Sequence, residues 1–152
     1  MSYEIKRLSP PVTPEEIEDI AVLTKHLTAG SVPDEVIEEN VAEILANPGQ
    51  LLFVARDESR IVGMSLLTLK TLPHERTAFG DNLVVHPDFR GHGIGELLVR
   101  ATRDYGDEHG IILQGTVSPK RLASLALHTK LGSEVWDTNF IVRQPQPKQD
   151  SQ

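Results

Sequence analysis

The chain contains no cysteine, which excludes disulfides, thiolate metal sites and any route through a cysteine acyl-enzyme. An acyl transfer here has to run directly from donor to acceptor. No apolar run is long enough to cross a bilayer. Met1-Ser2-Tyr3-Glu4-Ile5-Lys6-Arg7 lacks the basic-then-apolar layout of a secretory signal and reads as a first strand, so a cytoplasmic location without membrane contact is expected. Excess basic charge is missing too: 15 Lys and Arg stand against 22 Asp and Glu, a net charge of -7. That argues against nucleic acid and mildly favours a cationic acceptor such as an amine or polyamine. With neither repeat nor linker, 152 residues of average apolar content make one domain around a single core.

What is present organises itself around Leu83-Val84-Val85-His86-Pro87-Asp88-Phe89-Arg90-Gly91-His92-Gly93-Ile94-Gly95-Glu96. A β-branched run leads into alternating glycines, and Leu97, Leu98, Ala101 and Tyr105 then recur at helical spacing. Glycines at 91, 93 and 95 let backbone N–H groups approach a ligand, and a helix start adds partial positive charge. Phosphate is the natural guest. A P-loop would need Gly-Lys followed by Ser or Thr, where this chain has Gly95-Glu96; a dinucleotide fingerprint would place its third glycine one residue later than Gly95.

The segment resembles the GNAT superfamily of N-acetyltransferases, whose hallmark is Arg or Gln, two residues, Gly, one residue, then Gly or Ala. Arg90-Gly91-His92-Gly93-Ile94-Gly95 fits it, preceded by Val85-His86-Pro87-Asp88-Phe89-Arg90 in the family-typical Val-x-Pro-x-x-Arg form. The resemblance implies acetyl-CoA as cosubstrate. Its pyrophosphate would lie on Arg90, Gly91, His92, Gly93, Ile94, Gly95 and Glu96, and its pantetheine arm along the backbone of Leu83, Val84 and Val85. Arg121 and Lys120 would reach the adenosine phosphates.

In chain order, Tyr3 to Leu8 alternates as a strand. Thr13-Pro14-Glu15-Glu16 is a helix start with a cap, a first-turn proline and a carboxylate three residues after the cap; Ile17, Ile20, Ala21, Thr24 and Leu27 follow on one face until Gly30. A second helix spans 34–46, with Val36, Ile37, Val41, Ile44 and Leu45 inward and Glu35, Glu38, Glu39 and Glu43 as its solvated face. Strands at 50–56 and 60–71 form a hairpin in which Gly63 is either a bulge or a small residue beneath a helix. A strand from Ala78 to Val85 enters the glycine loop, a helix runs to His109, and Ile111 to Val117 forms a strand. Pro119 opens a last helix, Glu134 to Val142 forms a final strand, and 144–152 is a disordered tail, leaving 1–143 as the domain. The order β-α-α-β-β-β-α-β-α-β matches the family and implies an α/β fold, a mixed, mainly antiparallel sheet flanked by helices.

Amine acetylation requires a base, an oxyanion donor and an acid for the leaving thiolate. The resemblance places the donor in backbone N–H groups of Leu83-Val84-Val85 and the base at Asp81, which reads equally as a strand-start carboxylate in Gly80-Asp81-Asn82. The family's tyrosine on the last helix falls at His128 in Leu125-Ala126-Leu127-His128-Thr129-Lys130-Leu131-Gly132. A histidine at a helix C-terminus is favoured as imidazolium and is a usable acid, or it merely caps the turn. Tyr3 and Tyr105 do not substitute. His86, His92 and Asp88 straddle a proline and three glycines, and no metal is expected from them. The acceptor is then a primary amine, of a small molecule or else of a protein lysine or N-terminus, and His128 in place of tyrosine leaves open a CoA-binding module without catalysis. Acceptor choice would lie in 29–33 and 72–77. A homodimer accords with relatives that pair through sheets or last strands.

Overall fold

The structure is a computed structural model, and residues 2–28, 30 and 32–146 are described. Strand β1 (Glu4–Arg7) is followed by helices α1 (Pro14–Thr28) and α2 (Asp34–Ala46), then strands β2 (Gln50–Asp57), β3 (Arg60–Thr71) and β4 (Arg76–Val85). Helix α3 (Ile94–His109), strand β5 (Ile112–Gly115) and helix α4 (Leu122–Lys130) complete it, with a 3-10 turn at Pro87–Phe89 between β4 and α3. The five strands lie in sequence order in one sheet. The pairings β1 to β4 are antiparallel and β4–β5 is parallel.

Both faces of the sheet are covered, which explains why β2 reads as the unbroken apolar run Leu51-Leu52-Phe53-Val54-Ala55. Strand alternation sends Leu52 and Val54 into a cluster with Ile20, Leu23, Ile37 and Val41 of α1 and α2. Leu51, Phe53 and Ala55 join Ile94 and Leu98 of α3 on the other face. The pairing slips between Ala55 and Arg56, where Gly63 and Ile61 are the successive partners. A Cβ on Gly63 would lie 3.2 Å from both Ile94 Cγ2 and Leu98 Cδ1, so Gly63 borders a bulge and also admits α3.

Helix α1 starts where its capping box places it: Thr13 N–H donates to Glu16 Oε1 at 3.1 Å and Glu16 N–H to Thr13 Oγ1 at 3.2 Å. One turn on, the buried Asp19 carboxylate accepts from Arg60 Nε at 3.0 Å and from the Ile61 N–H at 2.9 Å. This pins the helix to the β2–β3 hairpin. Burial works to raise the Glu16 carboxyl, but hydrogen bonds from Arg56 and Thr13 outweigh it and hold the group below the usual carboxylate range.

Several expectations need correction. The last helix opens at Leu122, not at Pro119, which lies in the turn before it, and the strand expected over 111–117 is confined to Ile112–Gly115. Val36 points outward, 40% exposed, on the first turn of α2. Residues 134–142, expected to form a final strand, carry no strand pairing, and Val135, Trp136, Phe140, Ile141 and Val142 are all exposed. Their β-branched and aromatic residues give them strand character, but a strand exists only with a paired neighbour. Residues 144–146 are exposed and irregular, and the rest of the expected tail lies outside the described residues.

Candidate active site

Strand β4 is paired on both sides only up to Gly80, which stands opposite Gly115 of β5. Beyond it the register against β3 slips, Met64 facing Val84 and Leu66 facing Asp81. Two residues of β4, Asn82 and Leu83, then stand against Ser65, with Asn82 in the left-handed region at φ 55. This bulge parts β4 from β5. His86 N–H donates to Val62 O at 2.8 Å, so alternation turns the backbone N–H groups of Val85 and Leu83 away from β3, toward the gap.

The gap opens into a cleft of about 700 Å³ lined by Leu83, Val84 and Val85 of β4, by Arg90 and Gly95, by His26 and Leu27 at the end of α1, and by residues from Lys120 to Leu127 of α4 and its approach. A hollow of about 410 Å³ between the β1–α1 connection and α2 is walled mainly by apolar side chains such as Val12, Val41 and Leu45. It borders none of the glycine loop.

At the loop, Gly91 and Gly93 take φ 82 and φ 79, and no atom lies within 4 Å of where a Cβ would stand. Glycine is required there by backbone angle, not by crowding. Gly93 is the N-cap of α3, and the first intrahelical bond runs from Leu97 N–H to Gly93 O at 3.1 Å. The N–H groups of Ile94, Gly95 and Glu96 therefore have no partner within the helix. Ile94 and Glu96 can contribute only these amides, since the Ile94 side chain is buried in the core and Glu96 is taken up by Arg100 at 2.8 Å and Lys130 at 3.3 Å. Those partners, Arg100 first, hold the Glu96 carboxyl below its ordinary range.

Other side chains hold the loop. Arg90 Nε donates to Val85 O at 3.1 Å, so Arg90 both braces the turn and lines the cleft. His86 Nδ1 accepts from the Asp88 N–H at 3.2 Å, and His92 Nδ1 lies 3.1 Å from Phe89 O. Among the described residues no group of three or more His, Cys, Asp or Glu is arranged to hold a metal.

Asp81 stands at the bulge, and burial raises its carboxyl above the usual carboxylate range. His128 is half-buried beside the lining positions Ser124 and Leu127, and burial pushes its imidazole down, toward the neutral form. Desolvation thus outweighs the helix-end dipole from which an imidazolium was expected. Arg121 and Lys120 line the cleft. His26 was not singled out from the sequence. It lies 57 positions before Leu83 in the chain, and only the packing of α1 brings it to the cleft.

This geometry accompanies a clear family match. The pattern of the acetyltransferase (GNAT) family fits residues 15–133, and the chain belongs to that family: it is an acyltransferase with acetyl-CoA as cosubstrate. Its fold is similar to that of a putative acetyltransferase from Agrobacterium tumefaciens str. C58, with a TM-score of 0.80 and 21% identity over 93% of this chain and 99% of that one. It is similar also to AAC(6')-Iy in complex with the bisubstrate analog CoA-S-monomethyl-acetylneamine, with a TM-score of 0.77 and 21% identity over 95% and 99% of the two chains. Glucosamine-6-phosphate N-acetyltransferase from Arabidopsis thaliana gives 0.73 and 20% over 94% and 99%. No curated protein matches the chain in sequence. Among the described residues no helix is long and apolar enough to cross a membrane.

The residues present fit acetyl-CoA. Three unpartnered amides at a helix start, two glycines with open space around them, and Arg90, Lys120 and Arg121 in one cleft are what a pyrophosphate with further phosphate groups requires.

Proposed function

We propose that this protein is an N-acetyltransferase that moves the acetyl group from acetyl-CoA to a primary amine of a small molecule, by direct attack in a ternary complex. The observation that carries the reading is that Gly95, on the first turn of α3, and the unpaired stretch of β4 line the same cleft. Acetyl-CoA supplies an activated thioester. The Ile94, Gly95 and Glu96 amides bind its pyrophosphate, with Arg90 beside them and Lys120 and Arg121 toward the adenosine end. The Val85 and Leu83 N–H groups take up charge developing on the acetyl oxygen. Asp81, whose carboxyl burial raises, accepts the ammonium proton directly or through water. The chain has no cysteine to form an acyl-enzyme, which supports direct transfer.

The reading is tested by the melting temperature with acetyl-CoA beside NAD and ATP, followed by thiol release over an amine panel. A ligand at a hundred times its dissociation constant stabilises by about 2.7 kcal/mol. A rise confined to the CoA species is expected, with turnover on small amines exceeding that on lysine peptides. Preference for the peptides would replace the acceptor. One observation favours a second reading: His128 stands where the family's tyrosine acid stands, and burial disfavours its charged form. Cofactor binding without turnover on any amine would establish a CoA-binding module.

A further inference from the structure

We propose that His26 gives the proton to the departing CoA thiolate. This rests on the acetyl-transfer reading above and fills the role His128 is poorly placed to fill.

His26 is on the last turn of α1, exposed, and lines the cleft together with the Leu83-Val84-Val85 run along which the thioester would lie. Among the described lining residues it is the one side chain able to exchange a proton near neutral pH, since arginine and lysine hold theirs well above it. The carbonyl end of α1 favours a positive charge at this place. The ring sits edge-on to His86, with centroids 5.8 Å apart and planes at 75°. His86 accepts the Asp88 N–H through Nδ1 at 3.2 Å, which holds that ring against the loop. The charged groups around His26 are Lys25 on its own helix, Asp88 behind His86 at 3.9 Å, and Arg90, Lys120 and Arg121 in the same cleft. Phosphates bound at those three cations would neutralise them and leave the proton donor beside the thioester sulfur free of competing charge.

The step balances. The amine nitrogen forms its bond to the acetyl carbon, the C–S bond breaks with its electron pair on sulfur, and the His26 N–H proton passes to sulfur to give the thiol. As the amide forms, the acylated nitrogen sheds its second proton to water, and the neutral imidazole takes one back from water, so one proton is released overall. The proton lost by the ammonium goes to Asp81 and then to solvent.

The test is His26→Gln, with His109→Gln as control; His109 is exposed at the far end of α3 and bonds only Tyr105 O among the described residues. His26→Gln should keep the acetyl-CoA rise in melting temperature, lose kcat by about 10²-fold, and lose the decline of kcat at alkaline pH that an essential acid imposes. Independently of turnover, the His26 ring resonance, identified by its absence in the variant, should move when CoA binds, because the ring lines the cleft that the cosubstrate fills. Wild-type kcat and pH profile in His26→Gln, or a ring resonance indifferent to CoA, would overturn the proposal. Loss of the acetyl-CoA rise would make His26 a binding residue instead. A wild type without turnover removes the acetyl-transfer reading and the proton-donor role together; turnover in a wild type matched by His26→Gln removes only the latter.

Discussion

Helices α1 and α4 border the same cleft but are held in different ways. Helix α1 buries Asp19, Ile20, Ala21 and Leu23, starts on a reciprocal cap and is tied to the β2–β3 hairpin through the Asp19 carboxylate. Helix α4 has nine residues, no buried one and no side-chain cap, and its ion pair to α3, Lys130 with Glu96, is exposed on the lysine side. Nine residues are too few for a helix to persist on propensity alone. The wall that carries His26 is therefore built into the core, whereas the wall that carries Arg121, Ser124 and Leu127 is anchored chiefly where its C-cap Leu131 is buried.

The strongest way to break this contrast is to release α1. Asp19→Ala orphans the buried Ile61 N–H and costs about 1–3 kcal/mol, so the melting temperature should fall by several degrees while acetyl-CoA still raises it. An unchanged melting temperature would mean that α1 is held by its apolar face alone. Gly93→Val acts on the cleft. A β-branched residue in the left-handed region costs about 1–2 kcal/mol, and the acetyl-CoA rise in melting temperature should vanish because the amides of α3 no longer aim together. Retention of that rise would place the pyrophosphate elsewhere.

Hydrogen exchange compares the walls directly. Amides of α1 should be protected with or without acetyl-CoA, and those of α4 only with it; equal protection in the free protein would erase the distinction. Lys130→Ala should barely move the melting temperature, as expected of an exposed pair.

A smaller effect comes from pH. Burial raises the Asp81 carboxyl, so the folded state favours its protonated form, and that contribution is present below the unfolded pKa and lost as pH rises through the folded one. Asp81→Asn should then be slightly more stable than wild type at neutral pH while losing turnover. His128 has the reverse sign. Its folded state favours neutral imidazole, so His128→Gln should remove part of the destabilisation seen as pH falls from neutral toward the depressed pKa.

The same contrast runs through what could be read from the residues. The start of α1 and the 34–46 span of α2 follow from caps and breakers within a few positions. The glycine loop was equally legible, because left-handed angles and open amides need nothing beyond their own segment. The bulge at Asn82 was not legible, since it arises from a pairing mismatch between β3 and β4. Residues 134–142 show the reverse failure: their β-branched and aromatic content is real, but pairing requires an edge that the described fold does not bring to them.

Local chemistry in the sequence by itself determined the family, the helix caps, the two-faced apolar strands and the anion-binding start of α3, because each depends on backbone angles or periodicity within a short stretch. Tertiary structure alone decided which side chains share the cleft. It brought in His26 from the far end of α1, committed Glu96 to ion pairs and half-buried His128. Proximity between distant segments and desolvation are properties of packing, and no local pattern contains them.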